Sequence, residues 1–184
     1  MSEALLTVPP GGWTTDDLDR LPESNYRYEL TDGALTVSPS PSSLHQVISS
    51  VLVTALGQRA PEEFAVTGAV EIRFHRRLTR IPDALVVRSD EPRRHWFAPA
   101  EVVVAVEVES PGSHIDDRTT KPGLYAQFGI PHYWRIESEP LRVTTYQLGH
   151  GEGYRIGTTS DRLTVDEPFP LDLTLAELLP SWAR

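Results

Sequence analysis

Two carboxylates and one lysine carry most of the chemistry this sequence can do. The segment Glu101 to Ser110, EVVVAVEVES, reads as a strand, and strand side chains alternate faces. Val102, Val104, Val106 and Val108 then line one side, and Val103, Ala105, Glu107 and Glu109 the other. The first half is apolar on both faces, so Glu107 enters surroundings where an ionised carboxylate needs a cation, a metal or water. Glu109 equally fits the wet end of the strand. Upstream, in IPDALVV, Pro82 fixes the entry to a second apolar strand and Asp83 stands at its mouth. An acid accepting backbone bonds in a turn would read the same way. Downstream, Lys121 lies in the first turn or so of a helix whose Leu124, Tyr125 and Phe128 continue its stripe toward the sheet. The alternative is a lysine that snorkels from the helix end to solvent. Lys121 is the single lysine among 17 basic residues. In a chain that otherwise uses arginine, it marks a place for a compact ammonium.

Taken together, Asp83, Glu107 and Lys121 place two carboxylates at neighbouring strand ends with an ammonium facing them. Hard oxygen donors suit magnesium or manganese rather than zinc. Such an ion lowers the pKa of a bound water, bridges a phosphate oxygen and offsets charge building at phosphorus. The lysine would orient or deprotonate that water, or stabilise the transition state. The expected cofactor is Mg2+, with Mn2+ able to substitute. A basic run of Arg73, His75, Arg76, Arg77 and Arg80 precedes Asp83 and would guide a phosphate backbone toward the acids, although a solvated hairpin tip has the same composition. Arg93, Arg94 and Trp96 would add stacking or phosphate contacts from a loop.

The elements that must position these groups are legible in outline. Asp32-Gly33 supplies a tight turn between strands at Tyr26 to Thr31 and Ala34 to Val37. Ser42 caps a long helix with Leu44, Val47, Ile48, Val51, Leu52, Ala55 and Leu56 at helical spacing. A second helix is expected from about Asp117 to Phe128, stopped by Gly129. Asp116, Asp117 and Arg118 read as its cap. Strands are expected at His132 to Glu137, Val143 to Leu148 and Tyr154 to Ile156, and a short terminal helix at Leu173 to Leu179. The whole reads as a mixed α/β domain with helices packed on one curved sheet.

Composition excludes several classes. At 184 residues with 39% hydrophobic and 23% charged positions, the chain suits one globular domain. We expect residues 1–13 as a tail and 14–184 as the domain. Cysteine is absent, which removes disulfides, thiolate metal sites and a cysteine nucleophile. No apolar run reaches the length of a membrane span. The stretch MSEALLTVPPGG lacks the basic start and apolar core of a secretory signal, so the cytoplasm is the expected location. The net charge of −9 argues against binding nucleic acid through a general basic field, but not through a bound cation. No GxSxG elbow or HExxH pattern is present.

At this point the residues resemble a known family. YRYELTDGALTVSPSPSSLHQ (Tyr26 to Gln46), IPDALVV (Ile81 to Val87), VVVAVEVESPGS (Val102 to Ser113) and DRTTKPGLYAQFGIPHYWRIE (Asp117 to Glu137) look like the Uma-two family of restriction endonucleases, within the PD-(D/E)xK nucleases. The resemblance implies a restriction-endonuclease-like core and a hydrolase cutting DNA by metal-activated water. It implies Asp83 and Glu107 as metal ligands and Lys121 as the catalytic lysine, moved from the strand to the next helix. Glu109 occupies the ordinary lysine slot, where it would add a metal ligand or weaken the lysine by pairing with it. Glu29 corresponds to the upstream glutamate that completes the acidic cluster, though a solvent-facing hairpin residue fits too. His45, with Gln46, matches at the start of the long helix and would touch a phosphate or a neighbouring acid, as Arg76 and Arg77 would touch phosphate. Tyr125, Tyr133 and Trp134 also match and are assigned to core packing.

Two other functions stay open on sequence grounds. A nuclease fold without chemistry would bind nucleic acid or protein without divalent cation, its acids serving Lys121. A hydrolase of a small phosphorylated substrate fits the acidic charge, but no Gly-rich phosphate loop supports it. A homodimer would suit the exposed strand edges of so small a sheet.

Overall fold

The apolar run that contains Glu107 is the middle of the molecule. In this computed structural model, which describes residues 7–89, 91, 93–110, 112–151 and 153–183, the strand Val102–Val108 is buried along almost its whole length. In chain order the elements are α1 (Thr15–Leu18), β1 (Arg27–Thr31), β2 (Ala34–Ser38), α2 (Ser43–Gly57), β3 (Ala65–Thr67), β4 (Glu71–His75), β5 (Leu78–Arg80), β6 (Ala84–Val87) and β7 (Trp96–Phe97). They continue with β8 (Val102–Val108), α3 (Lys121–Gln127), β9 (His132–Ser138), β10 (Leu141–Leu148), β11 (Tyr154–Ser160), β12 (Arg162–Val165) and β13 (Leu171–Thr174). Six strands form the main sheet in the order β11-β10-β9-β8-β6-β3. The mixed α+β class expected from the sequence is what the chain adopts.

Only one neighbouring pair in this sheet, β8 with β9, runs parallel. Parallel neighbours need a crossover rather than a tight turn. Here the crossover is a π-helical turn, Asp116–Thr120, running directly into α3. That connection swings Lys121 back over the strand that carries Glu107. Pro122 lies where that π-helical turn runs into α3, inside a continuous helical run, and its missing N–H takes one amide bond out of that run.

The alternation of β8 sorts two cores. Val104, Val106 and Val108 pack with Ile48, Leu52 and Leu56 of α2 and with Leu171, Leu173 and Leu175 from the C-terminal segment. Ala105 packs on the other side with Tyr125, Tyr133 and Ile130. Ile48, Leu52 and Leu56 are fully buried, and each contributes roughly 1.5–3 kcal/mol of apolar transfer energy to holding α2 on the sheet. Ser42 caps α2 by accepting from His45 N. Asp32 and Gly33 both take positive φ, 49° and 82°, as a two-residue hairpin between twisted strands requires.

Three sequence expectations change. Val102 does not share a side with Val104, because β6 pairs Val86 with Val104 but Val87 with Val102. Val103 is the unmatched residue of this bulge, and Val102 joins the Ala105 side. The expected terminal helix at Leu173 to Leu179 is the strand β13 followed by a 3-10 turn, Leu175–Leu178. Leu171, Leu173 and Leu175 point inward at period two, a strand pattern that the later leucines disguise. Of the expected tail, residues 1–6 lie outside the described residues. Trp13 is buried and its amide donates to Gly33 O, so the end of that stretch is fastened to the β1–β2 turn.

Candidate active site

Asp83 is positioned by register. Ala84 pairs with Val106 across the antiparallel β6–β8 ladder, so one residue earlier falls against Glu107. Asp83 N donates to Val106 O, and Val108 N donates back to Asp83 Oδ2 at 2.9 Å. Arg27 Nη1 reaches Asp83 Oδ1 at 2.8 Å from β1. His45 Nε2 lies 3.0 Å from Asp83 Oδ2 and 2.8 Å from Val108 O. Burial opposes ionisation of Asp83, but the His45 ring, the Arg27 guanidinium and the Val108 amide outweigh it and hold its carboxyl below the usual range.

Glu107 and Lys121 form the other half. Lys121 Nζ lies 2.9 Å from Glu107 Oε2 and 2.7 Å from Asp117 Oδ1. Tyr125 Oη donates to Glu107 Oε1 at 2.8 Å. Lys121 is therefore not a solvent-seeking helix end; only 7% of its surface is exposed. Burial pushes the Glu107 carboxyl up to about 8, with Lys121 opposing and the charges of Asp83 and Asp117 adding to the rise. Asp117 is likewise raised by burial, with Lys121 opposing. Burial works against the Lys121 ammonium, yet Glu107 and Asp117 more than compensate and keep it charged well above its ordinary range. One ammonium thus faces two buried acids that are each reluctant to ionise.

The remaining candidates fall in different places. Glu29 Oε1 accepts from Ile81 N at 2.6 Å, which ties β1 to the segment leading into Asp83. Its charge is close enough to help hold the Lys121 proton. Glu109 occupies a separate ion cluster instead of joining Asp83 and Glu107. Arg118 Nε donates to its Oε1 at 2.8 Å, Arg135 Nη1 to its Oε2 at 2.5 Å, and His114 Nδ1 contacts Oε1. The Arg118 and Arg135 guanidiniums hold the Glu109 carboxyl low against the effect of burial. Among the described residues, no group of three or more His, Cys, Asp or Glu side chains is placed to hold a metal ion.

The basic run before Asp83 is engaged internally. Arg73 binds Asp19 and Glu71, Arg76 binds Asp16 at 2.7 Å, and Arg80 donates to Leu30 O. Arg77 spans the carbonyls of Gly11 and Asp32. These arginines fasten the N-terminal segment and the β1–β2 hairpin to β4 and β5. Arg94 similarly pairs with Glu101.

Four site residues carry no site assignment in the sequence. Asp117 reads as a helix cap but is buried against Lys121, and Ser113 Oγ also donates to it. Tyr125 reads as core but also clamps Glu107. The signal was present: positions 117, 121 and 125 recur at four-residue spacing, one face of a helix. Tyr133, also read as core, donates to Asp117 O at 2.8 Å and braces the π-helical turn. Arg27 carries no local signal, because its role depends on a partner 56 positions away.

Residues 15–177 match the Uma2 (Uma-two) family, described as "putative restriction endonuclease". The chain belongs to this family. Among solved structures, the crystal structure of a putative nuclease from Anabaena variabilis superposes with a TM-score of 0.73 at 22% identity, covering 93% of this chain and 99% of that one. That likeness carries the fold of this Uma2 protein. No curated protein matches it. Among the described residues, no helix is long and apolar enough to cross a membrane.

Proposed function

We propose that this Uma2 protein is a magnesium-dependent endonuclease that hydrolyses DNA phosphodiester bonds. The observation that carries the reading is the Lys121 ammonium held 2.9 Å from Glu107, on the strand register that sets Glu107 against Asp83. Membership of the family supports it.

Asp83 and Glu107, set against each other by the β6–β8 register, would supply the hard carboxylate oxygens that a divalent cation takes, with Val108 O as a third donor. His45 Nε2 now lies 3.0 Å from Asp83 Oδ2 and 2.8 Å from Val108 O and would have to give way to the ion. Two carboxylates and one carbonyl leave room for the several waters that magnesium keeps. When bound, the ion supplies an acidified water and positive charge on the scissile phosphate.

Asp83, whose carboxyl is held below the usual range, would hold the ion as a carboxylate. Glu107, raised by burial, would have to lose its proton to solvent to serve as the second ligand, with Tyr125 and Lys121 orienting its two oxygens. Lys121 stays protonated, so it donates hydrogen bonds to the attacking water or a phosphate oxygen rather than taking a proton. Asp117 holds the ammonium in place from behind.

The decisive experiment is nicking of plasmid DNA with Mg2+ or Mn2+, parent protein beside Lys121→Ala. Metal-dependent nicking that disappears in the variant supports the reading; nicking that persists refutes the role of Lys121. A second reading has one observation in its favour: Arg27 and Lys121 already pair with Asp83 and Glu107, and His45 Nε2 lies 3.0 Å from Asp83 Oδ2. A module without chemistry would use that arrangement unchanged, and would bind DNA equally well with and without divalent cation.

A further inference from the structure

Beside Asp83 lies a cavity of about 440 Å³ between the first turns of α2 and the turn joining β3 to β4. That volume lies within the roughly 300–1,000 Å³ of ordinary ligand pockets. Arg27, Ser40, Gln46, Ser49, Ala69 and Asp83 are among the residues on its walls. Asp83 is the one acid lining it, in a chain with 26 acidic residues. Its charge is matched there by Arg27, and His45 Nε2 lies 3.0 Å away.

The far wall is built close and unusually. A Cβ placed on Gly68 would come within 3.3 Å of both Asp83 O and Val53 Cγ2, so the turn presses directly on the Asp83 main chain. The next residue, Ala69, holds φ at +53°, a left-handed conformation that a residue with a Cβ rarely adopts. Such strain persists only where the surroundings impose it, and it gathers around ligand sites.

Arg27 stands at the edge of this cavity with its side chain 27% exposed, and its Nη1 is committed to Asp83 Oδ1. A cation held by the Asp83 carboxylate would weaken that carboxylate's pull on the guanidinium and repel it. The freed side chain is long enough to turn into the cavity, where its planar fork matches a phosphate. We infer that this cavity is a subsite for the nucleotide next to the scissile phosphate, and that Arg27 binds that nucleotide's phosphate after being released from Asp83. The inference rests on the nuclease reading and adds to it the side on which the strand lies.

The test is the binding of a short fluorescein-labelled DNA duplex, followed by anisotropy with Ca2+ in place of Mg2+. Mg2+ affinity is measured separately by calorimetry on the DNA-free proteins. Arg27→Ala should weaken DNA binding about tenfold or more, the scale of one charged hydrogen bond, while Mg2+ affinity holds or rises. Arg27→Lys should fall between, because it keeps the charge but loses the fork. Ser50→Trp, which fills the cavity from the exposed side of α2, should weaken DNA binding without touching Arg27. If the parent binds DNA and Arg27→Ala and Ser50→Trp bind it equally well, the subsite is overturned and the nuclease reading stands. Weakening of DNA and Mg2+ together in Arg27→Ala would make Arg27 a support for Asp83 and overturn its phosphate role. Should Arg27→Ala fail to fold, undiminished binding by both Arg27→Lys and Ser50→Trp overturns the proposal. A parent that binds no DNA at all removes the nuclease reading and the subsite with it.

Discussion

Lys121 Nζ stands between two buried carboxylates, 2.9 Å from Glu107 on the central strand and 2.7 Å from Asp117 one helical turn earlier. Two acids compete for one ammonium in a site almost closed to water. Neither carboxylate is fully satisfied by the pairing, which is why burial still raises both. The site therefore holds a surplus of proton affinity.

Replacing Lys121 with Met keeps the packing volume and removes the charge. Breaking a buried ion pair costs about 3–5 kcal/mol when the remaining charge stays uncompensated. Here Glu107 can keep its proton, so the cost should sit below that range at pH 6 and grow toward pH 9. Urea unfolding of Lys121→Met and parent at both pH values measures it. A loss of stability independent of pH would show that Lys121 does not face an ionisable partner. Cleavage should be lost at either pH.

Glu107 sets the pH dependence of the parent. Its carboxyl ionises near 4.5 when unfolded but only near about 8 when folded. The unfolded chain releases that proton first, so this group's contribution to stability is complete below about pH 4.5 and is lost as pH rises through 8. Lys121, whose folded value is raised, keeps its own contribution throughout that window. Glu107→Gln should therefore flatten the stability profile between pH 5 and about 8 relative to parent. Parallel profiles from urea midpoints across this window would sink the assignment. Saturating Mg2+ should flatten the parent's profile in the same direction.

How much of this was legible beforehand depends on the kind of contact involved. Asp83, Glu107 and Lys121 stand out in the sequence because charged residues interrupt apolar patterns, and that contradiction survives without coordinates. The long helix and the central strand were readable for the same reason, through periods of 3.6 and 2. Partners across the fold were not. Glu109 looks like a second acid beside Glu107, yet the parallel pairing of β8 with β9 sets Glu107 opposite Arg135 and brings that guanidinium to Glu109. The arginines before Asp83 look like a surface for phosphate, but their partners are acids and carbonyls from the first 32 residues and Glu71 of β4 itself. Composition records that a charge exists; only the register says what it meets.

Glu109→Gln tests that distinction directly. Arg135 is 5% exposed, so removing its carboxylate partner leaves a nearly buried guanidinium with Glu137 as its remaining acid, 3.0 Å away. The expected cost is about 3 kcal/mol, the low end for a broken buried pair, because Glu137 stays in place. Mg2+ affinity and the rate of plasmid nicking per folded molecule should match the parent. A variant that folds normally but has lost its metal affinity would return Glu109 to the metal site.

Asp83→Asn separates the role of charge from that of shape. The side chain keeps its size, so packing around the mouth of β6 is preserved. Asparagine can still accept the Val108 amide, but it no longer balances Arg27 and His45, which approach within 2.8 and 3.0 Å. Because the Asp83 carboxyl is held below its usual range, it contributes stability above about pH 3.8 that is lost as pH falls through the folded value. The variant should therefore be less stable than the parent at neutral pH, and the difference should shrink as the solution is acidified below pH 4. If Asp83 also anchors the cation, calorimetry at neutral pH will show Mg2+ binding reduced to background, and plasmid nicking will be lost with it. Retained Mg2+ binding with reduced stability would confine Asp83 to fastening β1 and α2 to the sheet.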